Sequence, residues 1–273
     1  MKNKSLSMSR YTSTKYTAKQ PDTHGFISYS DEEHQIWADL YQQQIPRVEQ
    51  YMSQAYMHGL KIIDLPQDRI PQCVDISAAL QEITGWSVQP VPALIGFGRF
   101  FNMLSQRQFP AASFIRTRED FGYVQEPDIF HEIFGHTPLL TDQKLADFSQ
   151  KIGQLGLNAE PKDHAWLARL YWFTVEFGLV KQGENPLPFG SGLASSPTEL
   201  EYAATSNIPV RQPFDIMTVL RTPYRIDIKQ PIYFVLESLE QLTEIAERDL
   251  IADIHQAQEM GLNPPLHSVA KAS

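Results

Sequence analysis

The stretch Pro127-Asp-Ile-Phe-His-Glu-Ile-Phe-Gly-His-Thr-Pro138 contains two histidines five residues apart. This spacing differs from the His-Glu-x-x-His zinc motif, in which two histidines four residues apart share one helix face. Five residues of α-helix turn the second side chain about 140° away from the first. Glycine readily adopts the left-handed conformation that ends a helix. We therefore expect the helix to end at Gly135, so that His131 in its last turn and His136 just beyond it can reach one ion.

A third metal ligand is predicted from a carboxylate within an apolar run. Residues 170–180 include only two polar side chains, Thr174 and Glu176, and a helix this apolar is expected to be buried on nearly all sides. Burying a carboxylate is costly unless it is paired or binds a cation. His131, His136 and Glu176 would together supply two imidazoles and one carboxylate, the ligand set of non-haem ferrous iron sites.

The same residues allow other interpretations. The two histidines are compatible with an ordinary helix end in a protein that binds a ligand without catalysis. Glu176 could instead form a buried ion pair with Arg169 or Lys181. If a metal is bound, two imidazoles and a carboxylate suit zinc as well as iron.

Composition narrows the class of protein. The chain has 273 residues, of which 42% are hydrophobic and 11% aromatic, enough to bury a large core. It contains no run of about 18 apolar residues that could span a membrane. The net charge of −9 and the pI of about 5.4 argue against binding to nucleic acid or to anionic membranes. The single cysteine, Cys73, excludes an intrachain disulfide and suits a reducing compartment. We predict a cytoplasmic protein.

Two segments, Pro127–Pro138 and Tyr171–Leu179, closely resemble the aromatic amino acid hydroxylases, which are pterin-dependent iron monooxygenases. The resemblance extends over most of the chain, from about residue 25 to residue 245. It implies a mainly α fold with a few short strands and one catalytic domain over residues 25–260. A flexible N-terminal segment (1–24) and a C-terminal tail (261–273) would flank this domain.

The resemblance implies a monooxygenase that hydroxylates L-phenylalanine to L-tyrosine with dioxygen and tetrahydrobiopterin or a related tetrahydropterin. Fe(II) would be held by His131, His136 and Glu176. The alternatives within the family are tyrosine and tryptophan hydroxylation. Outside the family, a zinc-dependent hydrolase would use the same three ligands, with Glu132 as the general base for water. A monomer or a small homo-oligomer is expected.

The resemblance also assigns the residues around the iron. The pterin is expected to contact four residues: Phe100, Glu132, Ala168 and Tyr171. Of these, Glu132 is expected to be catalytic. The amino acid substrate is expected to contact Arg116, Pro127, Trp172, Phe177, Gly192 and Ser195. The planar guanidinium of Arg116 would hold the substrate carboxylate with two parallel hydrogen bonds. The alternative for Arg116 is a solvated surface of ion pairs with its charged neighbours.

Two helix starts are predicted from capping residues. Ser30 followed by Glu33 matches a capping box, in which each side chain bonds the other residue's backbone. Asp75 is predicted to cap another helix, which would end at Gly85.

A short strand is predicted where Ile226 and Ile228 alternate with charged residues. By resemblance, an apolar Ile226 would leave the hydroxyl of a tyrosine substrate unpaired, and Trp172 would crowd an indole substrate. Both features predict a preference for phenylalanine.

Overall fold

Helices predominate in the structure, a computed structural model that describes residues 15–92 and 95–266. Within these residues the helices are α1 (Asp31–Tyr51), α2 (Gln54–Ile63), α3 (Cys73–Ile83), α4 (Phe97–Ser105), α5 (Gln143–Asn158), α6 (His164–Tyr171), α7 (Ser191–Ala194), α8 (Glu199–Thr205), α9 (Ile216–Arg221), α10 (Glu240–Glu247) and α11 (Leu250–Met260). The strands are β1 (Ser87–Val91), β2 (Gln108–Ala112), β3 (Leu179–Gln182), β4 (Asn185–Pro188), β5 (Val210–Pro213) and β6 (Ile232–Leu236). The predicted mainly α fold with a few short strands is confirmed.

No helix in this part of the chain has the length and apolar character needed to cross a membrane.

The strands form two small sheets. β1 and β2 pair in parallel, with Val88 opposite Phe109. The second sheet has the order β4-β3-β6-β5, in which only β3 and β4 are antiparallel. All of β6 is buried, as expected for a central strand whose two faces are covered. β2 leads into the segment that carries Arg116, and β3 follows the helix that carries Glu176, so each sheet anchors one side of the candidate site.

Aromatic side chains fix the helix that carries the two histidines. Trp37 and Tyr41 of α1 contact Phe130 and Phe134 edge-on, with ring centroids 5.2 and 5.4 Å apart. Phe130 and Phe134 stack on each other at 4.7 Å. Such aromatic pairs each contribute about 0.5–1.5 kcal/mol beyond the burial of their area. The histidine-bearing helix is therefore anchored in the core.

One of the two predicted caps is correct. The Ser30 side chain accepts from the backbone of Glu33, and Glu33 bonds back to Ser30, which is the predicted capping box. The prediction for Asp75 is wrong, because α3 begins at Cys73 and Gln72 occupies the cap position. The amide of Gln72 instead pairs with the backbone of Ile27 at 2.8 and 3.1 Å. A contact distant in sequence therefore sets the start of this helix.

The predicted N-terminal segment (1–24) lies partly within the described residues. Residues 1–14 lie outside them, and in residues 15–24 Tyr16 and Lys19 contact the body of the protein. The ring of Tyr16 stacks on Phe114 with centroids 4.5 Å apart, and the hydroxyl of Ser113 donates to the carbonyl of Lys19 at 2.8 Å. This N-terminal segment therefore lies against the residues that lead into Arg116.

The predicted C-terminal tail begins at an ordered junction. The backbone N–H of Asn263 donates to the carbonyl of Arg221 at 2.8 Å, and the guanidinium of Arg221 donates to the carbonyl of Gly261 at 2.7 Å. Residues 267–273 of the predicted tail lie outside the described residues.

The predicted strand at Ile226 and Ile228 is wrong. Residues 226–228 form a bend, and the side chain of Gln230 donates to the carbonyls of Arg225 and Ile228 at 2.8 and 3.1 Å. These bonds curl the segment, so it cannot pair as an extended strand. Ile226 is 42% exposed, which does not support its predicted place as an apolar wall of the pocket.

Glycine allows the close packing of α4 against α5. A Cβ atom on Gly153 would lie 2.3 Å from the backbone nitrogen of Ser105 and 2.6 Å from the Cβ of Leu104. Backbone atoms in a packed helix cannot move away cheaply, so these two helices require glycine at this contact. By contrast, a Cβ atom on Gly98 at the start of α4 would meet nothing within 4 Å.

Replacing Gly153 with alanine should therefore destabilise the protein. Overpacking of this kind costs about 1–3 kcal/mol, which exceeds the gain of up to about 1 kcal/mol from the better helix propensity of alanine. We expect Gly153→Ala to lower the thermal unfolding midpoint, and Gly98→Ala to leave it unchanged or slightly raised. Equal midpoints for the two variants would show that the contact between α4 and α5 is loose.

Candidate metal centre

The two histidines lie on a π-helix rather than at the end of an α-helix. Residues His131–His136 form this wider turn, and Gly135 does not adopt the left-handed conformation, so the predicted helix end is wrong. Bonding from residue i to residue i+5 lets side chains five residues apart lie on the same side. Glycine at position 135 instead allows the close approach of α7, because a Cβ atom there would lie 2.8 Å from the carbonyl oxygen of Ser191.

Glu176 lies on a second π-helical turn. α6 continues into Trp172–Glu176, where the N–H of Phe177 donates to the carbonyl of Trp172 at 2.9 Å. The helix ends there, and β3 begins at Leu179, so the predicted helix through residue 180 is too long. The side chain of Glu176 is only 16% exposed, in agreement with the predicted burial of this carboxylate.

The three predicted ligands converge on one point. The Nε2 atoms of His131 and His136 are 3.2 Å apart. Glu176 places one carboxylate oxygen 3.2 Å from Nε2 of His136 and the other 3.7 Å from Nε2 of His131. Ligands on adjacent positions about 2.1 Å from an ion lie about 3 Å apart, so the three donors fit one metal ion. Among the described residues this is the one group of histidine, cysteine and acidic side chains with such convergence.

Two serines orient the ligands. The hydroxyl of Ser195 donates to the carbonyl of Ser191 at 3.0 Å, so it accepts from Nδ1 of His131 at 2.8 Å. That bond places the imidazole proton on Nδ1 and leaves the lone pair of Nε2 for the ion. The hydroxyl of Ser191 lies 2.9 Å from a carboxylate oxygen of Glu176 and holds it in place.

The electrostatics of the ligands favour their metal-binding forms. Burial lowers the pKa of His131 to about 4, which keeps its imidazole neutral at neutral pH. Burial opposes ionisation of Glu176, but the nearby His136 and His131 and the hydroxyl of Ser191 lower the pKa of this carboxyl to about 2. A neutral imidazole and a carboxylate are the forms that bind a divalent cation.

Arg116 forms a buried ion pair, and the predicted alternative of a solvated surface is wrong for this residue. It is 3% exposed, and its Nε and Nη2 atoms donate to the two carboxylate oxygens of Asp128 at 2.7 and 2.8 Å. Burial would raise the pKa of Asp128, but Arg116 lowers it below its usual value. Asp128 also accepts from the backbone N–H of His131 at 3.1 Å. The pair therefore joins Arg116 to the start of the histidine-bearing helix.

Three of the four residues predicted to bind the pterin lie on the neighbouring helices α4 and α6, and the fourth, Glu132, lies on the π-helix that carries the two histidines. Phe100 is on α4 and meets Tyr171 of α6 edge-on, with centroids 5.6 Å apart. Ala168 precedes Tyr171 by one helical turn on α6. Glu132 is buried, and burial and the charge of Glu176 raise its pKa well above the usual value. These side chains supply an aromatic platform and one carboxyl group beside the metal ligands.

Two of the residues predicted to bind the amino acid, Trp172 and Phe177, form an aromatic wall. The rings of Trp172 and Phe177 are 4.5 Å apart, and they flank Glu176 in the chain. Gly192 on α7 lies against Phe177, where a Cβ atom would approach the ring to 2.9 Å. Pro127 is half-buried and directly precedes Asp128. The structure thus brings Trp172, Phe177 and Gly192 together next to Glu176 and places Ser195 on His131. Arg116 and Pro127 are connected to the metal ligands through Asp128.

Several residues of the site were missed in the sequence. Asp128 stands three residues before His131, a spacing typical of a helix cap, and this signal could have identified it. Ser191 carried no comparable signal. Phe109, whose ring lies 4.5 Å from that of His136, and Tyr224, which stacks on Trp172 at 4.5 Å, reach the site only through the tertiary fold.

Comparisons with known proteins agree with this geometry. A family model described as biopterin-dependent aromatic amino acid hydroxylase matches residues 4–271. The chain is 51% identical to the phenylalanine-4-hydroxylase of Vibrio cholerae over 253 residues, which is 93% of this chain and 88% of that protein. It matches the apo structure of the cold active phenylalanine hydroxylase from Colwellia psychrerythraea 34H with a TM-score of 0.91 and 49% identity, over 94% of this chain and 100% of that chain. It also matches a Chromobacterium violaceum phenylalanine hydroxylase with bound oxidized Fe(III), with a TM-score of 0.86 and 35% identity, over 93% of this chain and 91% of that chain.

Removing a ligand should abolish iron binding, whereas removing its orienting partner should only weaken it. We expect His131→Ala, His136→Ala and Glu176→Ala each to lose stoichiometric iron, because each deletes one of three donors. Ser195→Ala leaves all three donors and should lower the affinity for Fe(II) about 10–100-fold. Anaerobic Fe(II) titration followed by metal analysis measures both effects. Full iron retention in any of the three ligand variants would exclude that residue from the site.

Proposed function

The chain belongs to the biopterin-dependent aromatic amino acid hydroxylases and has the catalytic-domain fold of that family, and we propose that it hydroxylates L-phenylalanine to L-tyrosine. The reaction would use dioxygen, a tetrahydropterin and Fe(II). The observation that carries the proposal is the convergence of His131, His136 and Glu176 beside the aromatic wall of Trp172 and Phe177.

The three ligands would hold Fe(II) on one face and leave its other face open. Two imidazoles and one carboxylate are the facial set of non-haem iron oxygenases. When bound, the iron and the pterin supply the activation of dioxygen. Ser195 and Ser191 keep the ligands oriented, and the aromatic side chains around them exclude water from the reacting centre.

We assign the pterin to the side of the site formed by α4 and α6. Phe100 is half-buried and offers a ring face for stacking, with Tyr171 beneath it. Glu132 is buried next to the metal ligands and would contact the pterin directly, as a catalytic residue rather than a ligand of the iron.

We assign the substrate to the side formed by Arg116, Trp172 and Phe177. The Nε edge of the Arg116 fork bonds Asp128, which leaves N–H groups on the outer edge for the carboxylate of an amino acid. A guanidinium held by a buried carboxylate cannot rotate freely, so it would fix the orientation of the substrate. The phenyl ring would then lie against Trp172 and Phe177.

Phenylalanine is favoured over the other aromatic substrates. The Vibrio cholerae relative, which is 51% identical, is a phenylalanine-4-hydroxylase, and the indole of Trp172 leaves less room for a tryptophan substrate. A zinc hydrolase, the alternative outside the family, is not favoured because the family match covers residues 4–271. We further propose a cytoplasmic location, which the single buried Cys73 and the acidic composition support.

The activity itself provides the direct test. Anaerobically purified protein loaded with Fe(II) should form tyrosine from phenylalanine when oxygen and a tetrahydropterin are supplied, and zinc-loaded protein should form none. We expect kcat/KM for phenylalanine to exceed that for tryptophan, because the indole of Trp172 leaves less room for an indole substrate. Tyrosine production is measured by chromatography, with Glu176→Ala as the inactive control. Equal turnover of tryptophan or tyrosine would show that the substrate is misassigned.

Arg116→Lys should weaken the binding of the substrate. Lysine keeps the charge but loses the planar fork, so we expect the KM for phenylalanine to rise at least tenfold, or about 1.4 kcal/mol. Steady-state kinetics on the Fe(II)-loaded enzyme measures this change.

A substrate analogue separates this effect from damage to the ion pair with Asp128. 2-Phenylethylamine lacks the carboxylate, so its inhibition constant should change less than twofold in Arg116→Lys. An equal loss of affinity for phenylalanine and for this amine would mean that the variant distorts the pocket, and that Arg116 does not contact the carboxylate.

A further inference from the structure

Gln230 uses its side chain to connect two parts of the candidate substrate pocket. It is 2% exposed. Its Oε1 atom accepts from the indole Nε1 of Trp172 at 3.2 Å. Its Nε2 atom donates to the carbonyls of Arg225 and Ile228 at 2.8 and 3.1 Å. A single buried amide therefore joins the indole to the bend at residues 225–228.

Glu199 of α8 fixes the backbone of Gln230. One carboxylate oxygen of Glu199 accepts from the backbone N–H of Gln230 at 2.7 Å and from the hydroxyl of Tyr233 at 2.8 Å. Glu199 is itself buried. Because a buried acceptor with two donors is costly to disrupt, Gln230 has little freedom to follow a moving indole.

The indole of Trp172 is thereby restrained on three sides. One face stacks on Tyr224, with centroids 4.5 Å apart and planes 19° from parallel. Phe177 contacts it at 4.5 Å with a tilt of 34°. The stack still allows the indole to rotate within its own plane and to slide out. The hydrogen bond to Gln230 prevents both movements. Trp172 also belongs to the π-helical turn that ends at Glu176, so its backbone is fixed relative to the metal ligands.

We propose that Gln230 is a specificity-determining positioning residue, which excludes larger aromatic substrates by preventing the indole of Trp172 from moving aside. This inference rests on the proposed function, because it requires that Trp172 forms a wall of the substrate pocket. Gln230 acts on the substrate only through Trp172. Without the amide, the indole can shift and the pocket widens, so the enzyme discriminates less strongly against a tryptophan substrate.

A double-mutant cycle tests this route. The measured quantity is the ratio of kcat/KM for phenylalanine to kcat/KM for tryptophan, with the Fe(II)-loaded enzyme and a tetrahydropterin. We expect Gln230→Met to lower the ratio at least fivefold in the otherwise unchanged chain. In a Trp172→Phe background there is no indole N–H to hold, so the same substitution should change the ratio less than twofold.

Two results would overturn the proposal. One is an unchanged ratio in Gln230→Met, and the other is the same fall in both backgrounds, which would mean that Gln230 acts through the bend at residues 225–228 alone. If Gln230→Met does not fold, Gln230→Asn replaces it in the cycle. Asparagine keeps the amide but is one methylene too short to reach the indole, and the same criteria apply.

Tyr233→Phe is the matched control for a general loss of stability. It removes a buried hydrogen bond to the same carboxylate of Glu199 and leaves Gln230 and Trp172 intact. We expect a lower thermal unfolding midpoint with a ratio within twofold of the unchanged chain. A fall in the ratio as large as that of Gln230→Met would show that selectivity follows stability, against the proposal.

The proposed function and this inference fail in different ways. An unchanged chain that forms no tyrosine from phenylalanine refutes the proposed function. An unchanged chain that forms tyrosine, but whose ratio is insensitive to Gln230, refutes only the role of Gln230.

Discussion

The candidate site depends on two π-helical turns that both pack against α7 and direct their ligands towards each other. In an α-helix, His131 and His136 would point in different directions, and only the wider turn brings their Nε2 atoms to 3.2 Å. Such turns are rare because their hydrogen bonds are less favourable than those of the α-helix, and they occur mainly at functional sites. α7 supports both turns. Its Ser191 carbonyl lies against Gly135, and its Ser191 hydroxyl contacts the carbonyl of Val175 and the carboxylate of Glu176.

Charge is balanced within the buried site by two separate arrangements. Arg116 and Asp128 neutralise each other in the core, where loss of one partner would leave a buried charge at a cost of about 3–5 kcal/mol. Glu176 has no arginine or lysine among its described ion-pair partners, which are the two histidines. Imidazole binds a metal ion in its neutral form, so in the metal-bound site a divalent cation offsets the charge of the Glu176 carboxylate. The protein is thus arranged so that metal binding and folding stabilise each other.

The ligand set could be predicted from the sequence, whereas the local geometry could not. Glu176 is recognisable because a carboxylate inside an apolar run needs a partner, whatever the fold. The π-helical turn is not recognisable, because the residues within it give no signal for bonding to residue i+5, and its contact with Ser191 is distant in sequence. The bend at Ile226 was mistaken for a strand for a similar reason, since the amide of Gln230 bonds its carbonyls. The position of Tyr16 also depends on a distant contact, its stack on Phe114.

The π-helical turn Trp172–Glu176 contains both Trp172, the proposed wall of the substrate pocket, and Glu176, one of the three converging ligands. A change in the backbone of this turn that widened the pocket would also displace the carboxylate of Glu176. Divergence towards a different substrate is therefore constrained to proceed through residues that contact the turn from outside, such as Tyr224 and Gln230. In directed evolution of this enzyme, substitutions would accordingly accumulate at such positions and be eliminated within the turn.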